Sequence, residues 1–155
     1  MSDTKRVWEM VDAIDICMFV TKSGGKMHGR PMSTIGREDE GKIYLLTERS
    51  AVKDDEVAAD SDVYLGYCKG SQHLSINGTA AVSDDRALVK RVWTPSAQAF
   101  WPNGPDDPNV VAIVVTPSSA EYWDGPNGLL AGVKMAFAVV TGAQPDMGRN
   151  AKVRM

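Results

Sequence analysis

The sequence predicts a mainly antiparallel β-barrel decorated with peripheral helices, and three observations carry that reading. Short runs rich in strand-forming residues recur along the chain, separated by turns rich in glycine. Gly78 interrupts one of these runs, as a bulge at a barrel corner would. Helical spacing is confined to a few brief segments between the strands. With 155 residues, 43% of them hydrophobic and 24% charged, the chain can bury one sizeable core and is assigned a single domain, 1–155.

Residues 4–14 set Val7, Met10, Val11 and Ile14 on one helical face, with Ser2 and Asp3 placed to cap the start. Residues 16–22 read as a buried strand, and the turn SGGK leads into a second strand over 27–36. EDEGK turns the chain into a third, 42–47, so that residues 30–34 are expected beside residues 43–47. A helix is expected over 50–60 with Ser50 as its N-cap. DVYLGYCK and HLSINGTAAVS form a strand pair around KGSQ, and 84–93 reads as a helix. Residues 93–108 show little regular pattern, while 110–116 and 119–124 read as two separate strands. Leu130, Val133, Phe137 and Val140 fall at helical intervals before Gly142, which marks a core helix or an interface; the alternating tail 151–155 could add an edge strand.

The formal net charge of −3 argues against a general nucleic-acid or anionic-membrane binder, since either partner favours a basic surface, and leaves room only for a local basic patch. The polar N-terminus lacks the layout of an export signal, and the apolar stretch 129–140 is too short to cross a bilayer, so a cytoplasmic protein is expected. Cys17 and Cys68 stand far apart without a CxxC pattern and are expected to be buried free thiols. No metal site is expected, because His28 and His73 have no ligand partners at suitable spacing.

Two stretches are out of character for simple strands and helices. MHGRPMSTIG, residues 27–36, places Arg30 and Pro31 at the centre of a strand. Proline removes a ladder donor and is tolerated at a sheet edge or where something other than a strand meets the backbone. The segment is thus an edge strand with a solvated arginine, or the wall of a ligand site. In LTERSAVKDDE, residues 46–56, Arg49 and Lys53 lie beside an expected helix N-terminus, where cations are disfavoured. Either the acidic residues 54–56 balance them, or a phosphate is held by free backbone N–H groups, Thr47, Ser50 and Lys53, with Arg30 closing the clamp. The aromatics Trp93, Phe100 and Trp101 either pack their own loop or serve an interface or a flat ligand; Trp123 leans toward the core. No nucleophile elbow, Walker loop or dinucleotide fingerprint is present, so catalytic residues are not assigned and any chemistry is expected to come from a cofactor.

The succession HGRPM, YLLTERSAVK, HLSINGTAAV, VWTPSAQAFWPNGPDDPNV and AEYWDGPNG resembles the general-stress-protein branch of the pyridoxamine 5′-phosphate oxidase-like, FMN-binding split-barrel family over about residues 5–125. The resemblance implies a six-stranded split β-barrel, a homodimer, and FMN in the groove between subunits. It implies that Arg30, Pro31, Met32 and Ser33 border the ring and ribityl chain, with Arg30 also reaching the phosphate. It adds Leu46, Thr47, Ser50 and Lys53 from the second stretch, the last three on the phosphate, and Trp101 as a cover over the partner's flavin.

The Arg-Leu-His segment by which true oxidases grip the substrate phosphate has no counterpart in EYWDGPNGLLAGVKMA, which argues against pyridoxamine phosphate as substrate. His73 stands where the family places a glutamine. The function expected is therefore a flavin-dependent oxidoreductase of unassigned substrate. The alternatives are flavin storage without turnover, or the same barrel with deazaflavin F420 or haem.

Overall fold

Ser2 opens the first helix, its hydroxyl accepting from the Lys5 N–H at 3.1 Å. The computed structural model describes residues 2–52 and 62–155, and in it α1 (Asp3–Ile14) buries Val7, Trp8, Met10, Val11 and Ile14 against the sheet. The strands β1 (Ile16–Ser23) and β2 (Lys26–Ser33) are joined by Gly24 and Gly25 at φ 56° and 76°. Two consecutive positive φ values are what a two-residue hairpin needs, and glycine adopts them without a Cβ penalty. After Thr34 come β3 (Ile35–Arg37), a single 3-10 turn at 38–40 and β4 (Lys42–Glu48). The remaining elements are β5 (Asp62–Lys69), β6 (Gln72–Ser83), α2 (Arg86–Arg91), α3 (Pro95–Phe100), β7 (Val110–Asp124), α4 (Gly128–Thr141) and β8 (Arg149–Arg154).

All strand pairs are antiparallel, in the order β2-β1-β5-β6-β7-β4-β3, and β8 also lies on β7. The 15-residue β7 runs the length of β6 on one side, while β4 and β8 share its other side end to end. Alternate residues of these strands, among them Phe19, Leu45, Leu65, Ile76 and Ile113, meet in one core. The two ends of the strand order are held by one stretch of chain: β2 pairs with β1, and after Thr34 the same path continues as β3 and pairs with β4. The Thr34 N–H and hydroxyl both donate to the Asp15 carbonyl, at 2.8 and 2.9 Å, which fixes this bend.

Several expectations change. Among the described residues the sheet has eight strands, where six are expected for the barrel itself, and it does not close by hydrogen bonding. Residues 110–116 and 119–124 form one continuous strand, because Pro117 lies opposite Gly78 at a register shift where a missing N–H is tolerated. The irregular stretch 93–108 contains α3, capped by Thr94. Residues 30–33 pair with β1 and not with β4, leaving a gap between β2 and the end of β4. Trp123 is 41% exposed instead of buried, since its neighbour Tyr122 takes the core face of β7. The segment 128–141 is a helix, but none of its residues is buried, so it is not a core helix. The helix expected over 50–60 falls largely on 53–61, outside the described residues.

Of the two free thiols, Cys17 is buried and Cys68 is exposed, against the expectation of two buried ones. Burial pushes the Cys17 thiol up to about 12, so it stays protonated at neutral pH. Ellman's reagent at pH 8 is therefore expected to titrate Cys68 within minutes and Cys17 only after denaturant is added; two fast thiols in the native protein would contradict this packing.

Candidate functional site

β4 stays beside β3 only through the pairs Ile35↔Tyr44, Gly36↔Ile43 and Arg37↔Lys42. Further along, β4 is held by β7 from Ile43↔Val115 to Glu48↔Val110, and β2 is held by β1. The sheet therefore parts between residues 30–33 and 46–48, and a cleft of about 610 Å³ opens there. That volume suits a cofactor-sized ligand.

One wall is the outer edge of β2, Arg30 to Ser33, continuing through Thr34 to Ile35. Leu46, Thr47 and Glu48 form the facing wall, with Ile113 of β7 between them and Ala51 and Val52 beyond. Thr94, Ser96, Ala97, Phe100 and Trp101 cover one side, and Asp15 and Ile16 lie at the start of β1. The cover is built locally. Thr94 accepts from the Ala97 N–H at 3.1 Å and Pro95 occupies the first turn of α3, where its missing N–H costs nothing. Trp101 then sits against Trp93 and Phe100, with ring centroids 6.2 and 6.0 Å apart.

The Arg30 guanidinium donates to the Thr21 hydroxyl at 2.9 Å and lies 5.2 Å from the Phe19 ring centroid. Its head group is thus oriented by β1, the strand that β2 pairs with. Pro31 pairs with Met18 of β1, while among the described residues no strand lies on its other side. Asp15 has φ 69° and ψ −45°, a sparsely populated conformation for a residue with a Cβ. Behind it the Tyr67 hydroxyl donates to Thr34 Oγ1 at 3.1 Å, and burial pushes the Tyr67 phenol up. Cys17 and Tyr67 are accordingly neutral at physiological pH and offer no anionic nucleophile.

Of the residues singled out in the sequence, Arg30, Pro31, Met32, Ser33, Leu46, Thr47 and Trp101 line this one cleft. Ser50 is exposed on the turn after β4 and does not line the cleft. Lys53 lies outside the described residues. His28 and His73 are exposed and are not cleft residues. Sequence reasoning missed Asp15, Ile16, Glu48, Thr94, Ser96, Ala97 and Ile113. Only the Thr94-Pro95 pair carried a local signal, a helix cap followed by an N1 proline. No cluster of metal-ligating side chains occurs among the described residues.

Relatives of known structure share this architecture. A crystal structure assigned to general stress protein 26 from Jannaschia sp. CCS1 superposes with a TM-score of 0.80 at 27% identity, covering 100% of this chain and 99% of that one. The general stress FMN/FAD binding protein from Xanthomonas citri superposes with a TM-score of 0.68 at 22% identity, covering 77% of this chain and 87% of that one. In sequence, general stress protein 26 of Bacillus subtilis (strain 168) is 27% identical over 118 residues, which is 73% of this chain and 82% of the relative. The family described as "Pyridoxamine 5′-phosphate oxidase like" matches residues 2–146. That match takes in both walls of the cleft and its aromatic cover, and the chain belongs to the pyridoxamine 5′-phosphate oxidase-like family.

Proposed function

We propose that the cleft binds a flavin as FMN and that the protein is a flavin-dependent oxidoreductase acting as a homodimer. The observation that carries this reading is the convergence of Arg30–Ser33, Leu46–Thr47 and Trp101 on one cleft of about 610 Å³. The walls suit a flat heterocycle with a charged tail. Met32, Leu46, Ile113 and Trp101 offer apolar surface, while Ser33, Thr47, Thr94 and Ser96 offer hydroxyl donors. The Xanthomonas citri relative, described as FMN/FAD binding, supports the same ligand class.

In this reading Arg30 and Thr47 hold the phosphate, and Pro31, Met32, Ser33 and Leu46 border the ring. Asp15 and Glu48 also stand on the cleft, so a dianion is held by directed hydrogen bonds and the Arg30 charge more than by a broad positive field. Trp101 covers a ring, and the open mouth beside exposed Ile16 and Phe100 is completed by a second subunit. The six strands of a split barrel are then β1, β2 with its continuation β3, β4, β5, β6 and β7, and β8 is an addition. A bound flavin supplies the electron transfer, while the protein positions it and excludes water.

Titration of the apo-protein with FMN is expected to quench tryptophan emission and to saturate at one flavin per chain. Absence of quenching together with no flavin retained on a desalting column refutes the reading. Parallel titrations with F420 and haem rank the other ligands this barrel could take. Turnover with nicotinamide donors no faster than that of free FMN reassigns the protein to flavin storage.

A further inference from the structure

The excursion between β7 and β8, residues 125–148, begins and ends at a rigid neck. The Gly125 N–H donates to the Ser71 carbonyl at 3.2 Å and the Ser71 hydroxyl donates to the Gly125 carbonyl at 2.9 Å. Gly148 has φ 104°, and a Cβ there would lie 2.1 Å from the Asp124 carbonyl oxygen. Beyond this neck projects α4, capped by Asn127 and closed by Gly142 in the left-handed region.

α4 is apolar all round, yet none of its residues is buried. Leu129 is 83% exposed, Val139 82%, Val140 85%, Phe137 66% and Val133 59%. A helix with this pattern belongs inside a larger contact. At 14 residues, with Gly128 and Gly132 among them, it is too short to persist as an isolated helix in water and needs packing. The single cation, Lys134, already has its partners within the arm: it donates to the Asp146 carbonyl at 2.9 Å and has the Asp146 carboxylate as counter-charge at 3.9 Å. Burying the arm therefore strands no lone charge.

We infer that α4 is an exchange arm that packs against a second copy of this chain. The exposed apolar side chains of the arm amount to on the order of 500 Å². In a two-fold pair each copy gives one arm and receives another, which reaches the ~800 Å² per partner of a stable interface. A membrane suits the arm less well: α4 spans only about 21 Å against a hydrocarbon core of about 30 Å, and it lacks the basic polar face of an interfacial helix. The arm inference rests on the homodimer reading above but not on the flavin.

The test is the association constant of the full chain with and without the arm's apolar surface. Sedimentation equilibrium of the wild type is expected to show a dimer, and the double variant Val133→Glu, Phe137→Glu is expected to raise its Kd by about 100-fold or more. Both side chains are exposed, so the monomer fold should survive, with an unchanged thermal unfolding midpoint under dissociating conditions. A variant-free readout is hydrogen exchange, in which α4 amides gain protection as protein concentration rises through the dimer Kd.

A wild-type dimer whose Kd the double variant leaves unchanged overturns the arm while keeping the dimer. A wild-type monomer at 100 μM overturns both. Wild-type binding to phosphatidylcholine–phosphatidylglycerol vesicles, lost in the variant and without any dimer in solution, overturns the inference in favour of a lipid surface.

Discussion

Reversing the charge at residue 30, Arg30→Glu, is expected to weaken FMN binding by about 100-fold or more and riboflavin binding by less than about ten-fold. A charge-assisted hydrogen bond contributes about 1.5–3 kcal/mol, and an added carboxylate also repels a dianion across the same distance. A 100-fold loss corresponds to about 2.7 kcal/mol, within reach of those two effects together. Riboflavin shares the ring and ribityl chain but has no phosphate, so the ratio of the two losses isolates the contact with the charged end.

Arg30 also has a structural part, because its guanidinium rests on Phe19 and donates to Thr21. Arg30→Met keeps most of the aliphatic packing and removes the charge together with the hydrogen bond to Thr21; its FMN affinity is expected to fall by about ten-fold or more. Isothermal titration of the wild type and both variants with each ligand, below the unfolding midpoint of each protein, measures these affinities. Equal losses for FMN and riboflavin would place Arg30 beside the ring, and no loss for either would move the ligand to another end of the cleft.

Arg30 and Pro31 were legible in the sequence because they break a local rule: a cation and a residue without an N–H sit in the middle of a strand. The strands themselves were legible for the opposite reason, since KIYLLT and HLSINGTAAVS keep their alternation and their turns carry glycine. What stayed hidden depends on contacts far apart in the chain. Pro117 reads as a strand break until Gly78 is seen opposite it. α3 is a single six-residue helix among prolines and aromatics, too short for a periodic signal. Asp15 and Ile113 reach the cleft only because β1 and β7 meet it in space. Apolar spacing found α4 and left a core helix or an interface open, because a helix so rich in apolar residues gives no direction for burial; its exposed side chains exclude the core.

Gly78→Ala is expected to destabilise the protein by about 3 kcal/mol, with a fall in Tm of about 6–12 °C for a chain of this length. A Cβ at residue 78 would lie 2.5 Å from the Thr116 carbonyl oxygen and 3.1 Å from the Pro117 Cα. Both neighbours are backbone, and β6 is paired on one side with β5 through Val63↔Gly78 and on the other with β7 through Gly78↔Pro117. Neither strand can retreat without losing ladder hydrogen bonds. Gly36 gives the contrast: its added Cβ would meet side chains and no backbone, Asp12 Oδ1 at 2.8 Å, which can turn away, and Val11 Cγ1 at 3.1 Å, which must give by a few tenths of an ångström. Gly36→Ala should therefore cost less than Gly78→Ala, about 1 kcal/mol. Urea unfolding of the two variants measures the difference, and equal costs would show that the bulge relaxes as readily as a surface side chain. The corner also matters for the site, because the strand that bends at Pro117 continues back through Val115↔Ile43 to Ile113 on the cleft floor. If Gly78 holds that bend, Gly78→Ala should loosen β7 beside the cleft and weaken FMN binding even at temperatures where the variant remains folded.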